Sequence, residues 1–233
     1  MTTVHSLGAK LLCEFVGTFF LVAVGVAAIM HGQSDLLAVA LAHGLVIAVM
    51  VSAVGHVSGG HFNPAVSITM FVFRQMTLTG ALAYTATQLV AGALGAWVAA
   101  VGLDIKLDDL AGATPTLSDT LGSGQGLLLE VVATFMLVWV IFAVAVDRDG
   151  SFFKIAGLPI GLTITAGILM IGPATGAGLN PARWFGSAVL AGHWDDAWIY
   201  VVGPVVGGVL AGAAYLYGVK PRLAGAAAAP DTV

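Results

Sequence analysis

Charged side chains are scarce in this chain. Lys, Arg, Asp and Glu make up 9% of its 233 residues, against roughly 25% in a soluble globular domain, so most of its surface cannot face water. With only 8 basic residues and a formal net charge of −4, it offers no patch suited to a nucleic-acid backbone. Cysteine is reduced to Cys13 alone, which rules out a disulfide framework and a thiolate metal site. His56 and His61 flank one loop but have no third ligand at a suitable spacing, so no metal site is expected. The Gly-rich stretches lack the following Lys-Ser or Lys-Thr of a phosphate loop. No nucleophile, base and orienting group stand at a recognisable spacing. An enzyme is therefore the least expected class, and no catalytic residue or cofactor is implied.

What the chain has in quantity is apolar length. Hydrophobic residues reach 59% and gather into six stretches, at about 8–30, 36–57, 80–102, 125–146, 154–172 and 196–218, each close to the ~20 helical residues that cross a bilayer core of about 30 Å. None shows the strict alternation of a membrane β-barrel. The expectation is an all-α integral membrane protein of six spans. Its 31 glycines suit helices that associate in lipid by close backbone approach. Met1 leads into a span too long for a signal h-region, so this end is expected to be retained.

Six crossings put Lys10, Arg74, Arg148, Lys154, Lys220 and Arg222 on one side, which the positive-inside rule assigns to the cytoplasm together with both termini. Asp35, Asp104, Asp108, Asp109, Asp119, Asp195 and Asp196 collect on the other. The expected location is the plasma (inner) membrane.

The chain also repeats itself. "LLCEFVGTFFLV" from Leu11 resembles "LLLEVVATFMLV" from Leu127, aligning Glu14 with Glu130 and Thr18 with Thr134. "GGHFNPAV" corresponds to "GAGLNPAR", aligning Asn63-Pro64-Ala65 with Asn180-Pro181-Ala182. Gly44 and Gly92 match Gly161 and Gly208. A single domain over residues 1–233 is expected, with repeats at about 8–102 and 125–218 joined by an extracellular loop at about 103–124. Three crossings per repeat turn the second copy upside down, an arrangement that puts functional sites where broken helices meet.

Each Asn-Pro-Ala is a helix start, because Asn is a favoured N-cap and Pro suits the first helical position. The residues that follow support only about ten or eleven helical positions, or roughly 16 Å, half of the hydrocarbon thickness. They are expected to be re-entrant half-helices whose N-termini face each other. Irregular backbone at that depth is tolerated only when buried in protein or lining an aqueous path. Two helix N-termini, each about half a positive charge, repel cations. Asn amides donating to a water there would break a proton relay.

Taken together, "SGGHFNPAV", "GAGLNPARWFGSA" and the paired glutamates resemble the aquaporin family over nearly the whole chain. The resemblance implies a passive channel that carries water in single file and excludes protons and ions, its partners being water, small neutral solutes and the bilayer, assembled as a homotetramer. It implies a selectivity filter of His43, Ile168, Ala177 and Arg183, with Arg183 held by loop carbonyls. It also implies that Glu14 and Glu130 accept hydrogen bonds from the re-entrant backbone, with His61 as a further loop brace. The filter is similar to that of plant tonoplast intrinsic proteins, which adds ammonia, hydrogen peroxide or urea to water. Glycerol facilitators continue the second motif with Asp where this chain has Trp184, which ranks a glycerol-type facilitator second. A proton-coupled transporter using Glu14 and Glu130 ranks third.

Overall fold

A computed structural model describes residues 5–31, 35–147 and 155–219. Among these residues eight α-helices run α1 Leu7–His31, α2 Leu36–Ser58, α3 Pro64–Val72, α4 Leu78–Gly102, α5 Ser123–Ile141, α6 Gly157–Thr175, α7 Pro181–Ala191 and α8 Ile199–Ala214. There is no strand among the described residues. Single π-helical turns, Phe142–Val146 and Tyr215–Val219, prolong α5 and α8. With them, six helices among the described residues are long and apolar enough to cross a membrane. Helices α3 and α7, of 9 and 11 residues, are the two half-length elements.

Helix packing repeats with a twofold pattern. Helix α1 packs on α4 as α5 does on α8; α1 contacts α2 as α5 contacts α6; α2 and α6 meet across the centre. Each half-helix also leans on the long helix that closes the other half, α3 on α8 and α7 on α4.

Glycine makes these crossings close. A methyl on Gly92 of α4 would stand 2.6 Å from the carbonyl of Ala182, and one on Gly208 of α8 would stand 2.5 Å from Thr69 Oγ1 with the Ala65 carbonyl behind it. The two glycines matched in sequence thus do one job, each seating the opposite half-helix at its Asn-Pro-Ala alanine. At the centre, a methyl on Gly161 would run into the carbonyl of Gly44.

The helix bounds shift from the sequence expectation by a few residues. The fifth span runs to Thr175 rather than 172, because Pro173 fits into its last turn and Gly176, at φ 72°, makes the left-handed cap that stops it. Cys13 is half-buried. Of the residues invoked for sidedness, Arg148, Lys154, Lys220 and Arg222 lie outside the described residues.

Candidate functional site

The two Asn-Pro-Ala segments meet inside the bundle. Asn63 and Asn180 are N-caps in extended conformation, each followed by Pro at the first helical position. Asn63 Oδ1 accepts from Ala65 N–H at 2.9 Å; Asn180 Oδ1 accepts from Ala182 N–H at 2.9 Å and Arg183 N–H at 3.3 Å. Each amide then reaches across: Asn63 Nδ2 donates to the Leu179 carbonyl at 2.9 Å, and Asn180 Nδ2 to the Phe62 carbonyl at 2.8 Å. A side-chain amide carries two N–H groups, so each Asn keeps one beyond this cross-link. Sequence reasoning assigned these donors to the lumen and missed that half of them bind the other repeat.

The accepting carbonyls belong to residues in an unfavourable backbone region. Phe62 and Leu179, at matched positions, have φ of 49° and 52°, where non-glycine residues are uncommon and strained. Two buried carboxylates hold these bends. Glu14 Oε1 accepts from Ser58 Oγ at 2.7 Å and His61 N–H at 3.0 Å, while its Oε2 accepts from Phe62 N–H at 2.7 Å and Gln88 Nε2 at 2.8 Å. Glu130 Oε1 accepts from Thr175 Oγ1 at 2.7 Å and Gly178 N–H at 2.8 Å, and its Oε2 from Leu179 N–H at 2.7 Å. A tyrosine backs each loop, Tyr84 donating to the Ser58 carbonyl and Tyr200 to that of Thr175, both at 2.8 Å.

Beyond that common frame the halves diverge. The first carries a polar relay in which Gln88 Nε2 donates also to Ser67 Oγ at 3.1 Å, and Ser67 Oγ lies 3.0 Å from His61 Nδ1. Trp184 occupies the matched position of Ser67 and stacks on Tyr200, centroids 6.0 Å apart and planes 9° from parallel. His61, expected to brace the loop, has its N–H held by Glu14, and its ring links the loop to α3. Gln88 escaped sequence reasoning; its one signal was an amide in an otherwise apolar span.

A narrow cavity of about 40 Å³ runs past both caps, lined by Asn63, Asn180, His43, Ile168, Ala177 and Arg183, among others. At roughly 10–15 Å³ of such space per water, it has room for about three. Beyond Ile168 and Arg183 it opens into a space of about 310 Å³ bounded by residues 112–115. Beyond Gly60 and His61 it opens into one of about 360 Å³ that Met70, Gln75 and Ala145 border. Cys13 and the exposed His56 are outside this lining.

Four side chains from separate elements share the lining of this cavity. His43 on α2 is 2% exposed, and its Nδ1 lies 2.8 Å from the Val39 carbonyl. A carbonyl can only accept, so Nδ1 carries the hydrogen. Ile168 on α6, Ala177 in the loop and Arg183 on α7 are 4%, 2% and 7% exposed. The buried Nη1 of Arg183 has no hydrogen-bond partner among the described residues. Among the described residues no group of three potential metal ligands occurs.

An inverted pair of three-helix repeats, with two half-helices capped against each other around a waist between two wider spaces, defines a membrane channel. The comparisons place it more closely. The family model described as major intrinsic protein matches residues 1–215, and the chain belongs to that family. It is 41% identical over 214 residues to "Aquaporin TIP4-4" of Zea mays, covering 88% of this chain and 84% of that protein. It is 38% identical to "Aquaporin NIP1-1" of Oryza sativa subsp. japonica over 88% of this chain and 72% of that one. "Aquaporin-4" of Bos taurus is 39% identical over 78% of this chain and 56% of its own. Among solved structures, the aquaglyceroporin from Plasmodium falciparum superposes with a TM-score of 0.81 at 24% identity, over 90% of this chain and 96% of that one; that likeness is of fold.

Proposed function

We propose that this protein is a passive water channel that carries its substrate in single file and turns away protons and ions. The observation that carries this reading is the pair of asparagine caps facing one cavity of about 40 Å³ between spaces of about 310 and 360 Å³. Asn63 and Asn180 each offer a water one remaining N–H, at the convergence of two helix N-termini whose partial positive charge opposes cations. A water that spends its lone pairs on these donors cannot take a proton from its neighbour. Pro64, Ala65, Pro181 and Ala182 build the caps.

His43, Ile168, Ala177 and Arg183 form the selectivity filter. The Arg183 guanidinium, with Nη1 unpartnered, is a fixed positive charge at the lumen. It shares the cavity lining with Ile168 and with a His43 whose Nδ1 hydrogen is spent on Val39. This mixed polarity and small bore suit water first, with ammonia, hydrogen peroxide or urea as companions. Trp184, packed on Tyr200 where glycerol facilitators place Asp, supports water ahead of glycerol. The full occupation of Glu14 by four donors supports a bracing role over proton carriage. The reading extends to a homotetramer in the plasma membrane with both termini in the cytoplasm, Lys10 and Gln75 bordering a common space at that end.

Stopped-flow light scattering on proteoliposomes, with water, glycerol, urea and ammonia gradients, tests the proposal. Water flux well above that of empty vesicles, unaffected by an imposed pH gradient, is the expected result. Dominant glycerol flux with negligible water flux would overturn the solute order, and flux that tracks the pH gradient would point to a coupled transporter.

A further inference from the structure

We propose that Gly25 is a specificity-determining position: its bare backbone is the floor on which the His43 imidazole lies, and it sets how far that ring projects into the lumen. This rests on the channel reading above. A methyl placed on Gly25 would stand 2.8 Å from Cε1 and 2.9 Å from Cδ2 of His43, and closer still to Nε2. Non-bonded carbons settle at about 3.5–4.0 Å, so one of the two must move. Gly25 is part of α1, which packs on α4 along Gly95, where an added methyl would meet the Phe19 carbonyl at 2.5 Å; α1 has no slack to retreat. His43 is anchored on its other side through Nδ1 to Val39. The open direction is the cavity of about 40 Å³ that His43 lines.

The second repeat supports the point by contrast. At the positions matched to Gly25 and His43 it carries Ile141 and Ile160, two members of one apolar cluster that both border the cavity. An aliphatic pair fills its own space there, whereas a planar ring laid against a neighbouring helix needs a residue without a side chain beneath it. Glycine is a poor helix former and alanine the best, so by local propensity Gly25→Ala would strengthen α1. Any loss it causes must come from what the methyl touches.

The test compares wild type, Gly25→Ala, His43→Ala and the double variant in proteoliposomes, reading water and urea flux beside the melting temperature in detergent. Gly25→Ala is expected to lower water flux by about tenfold, which corresponds to about 1.4 kcal/mol on the permeation barrier, and urea flux by more. In the His43→Ala background the same substitution should leave flux unchanged and leave the melting temperature unchanged or slightly raised. Normal flux in Gly25→Ala would overturn the inference. So would a defect, in flux or in folding, that His43→Ala fails to relieve, since the glycine would then serve some other neighbour. Failure of the channel reading shows separately, as absence of water flux in wild type, and the melting-temperature coupling still judges the contact.

Discussion

Asn63 donates its side-chain amide to the carbonyl oxygen of Leu179 at 2.9 Å, so the cap of one half-helix is held by the loop leading into the other. Asn63→Asp sets a carboxylate oxygen against that carbonyl in place of a donor. Leaving a buried polar group without its partner costs about 1–3 kcal/mol, and the new negative charge cancels part of the barrier made by the helix N-termini. The variant should melt at lower temperature in detergent and leak protons when proteoliposomes holding a pH-sensitive dye are given a pH step. A variant as heat-stable and proton-tight as the parent would count against the role given to these caps.

Glu14 and Glu130 should each be costly to replace by glutamine. An amide NH2 placed where Glu14 Oε1 stands strands the His61 N–H, while the Ser58 hydroxyl can turn and accept. At Glu130 an NH2 turned toward Leu179 strands that N–H. With one group stranded in either case, each variant should cost about 1–3 kcal/mol. Melting temperatures in one detergent give the two losses, and a variant as heat-stable as the parent would refute this account.

Removing the guanidinium of Arg183 takes away the fixed charge at the waist and widens it. Arg183→Ala should raise urea and glycerol flux and admit monovalent cations, while water flux is retained. Conductance across planar bilayers measures the last effect. Unchanged cation exclusion would assign the barrier wholly to the half-helix termini.

The crossing of α2 and α6 depends on two bare backbones. Gly161→Ala would drive a methyl into the Gly44 carbonyl and to 2.7 Å from Ala48 Cβ, and overpacking of this kind costs about 1–3 kcal/mol. Gly102, at the end of α4, has nothing within 4 Å of where its methyl would stand, so Gly102→Ala should be neutral or slightly stabilising. Equal melting temperatures for the two variants would contradict the crossing described.

Much of this architecture was legible because its signals are local. An Asn followed by Pro announces a helix start within three residues, and a second copy 117 positions later announces inversion. The glutamates stood out as charges in oil. The polar relay from Glu14 through Gln88 and Ser67 to His61 was not legible, since it joins residues 74 apart in the chain with no periodicity between them. Nor could the unpartnered Nη1 of Arg183 be foreseen, because a hydrogen bond that fails to form leaves no trace in sequence. The overrun of the fifth span past Pro173 has a simpler cause: proline signals a helix end but is tolerated in a final turn that a glycine closes.

The unequal widths along the path carry a hydraulic consequence. Resistances in series add, so the short waist between the two broad vestibules governs throughput almost alone, and reshaping either vestibule changes how solutes are captured more than how fast they pass. On the proposed reading, the side chains that fix this bottleneck are the same ones that discriminate among solutes. On that reading, a change at His43, Ile168, Ala177 or Arg183 that widens the waist also loosens what may join the flow.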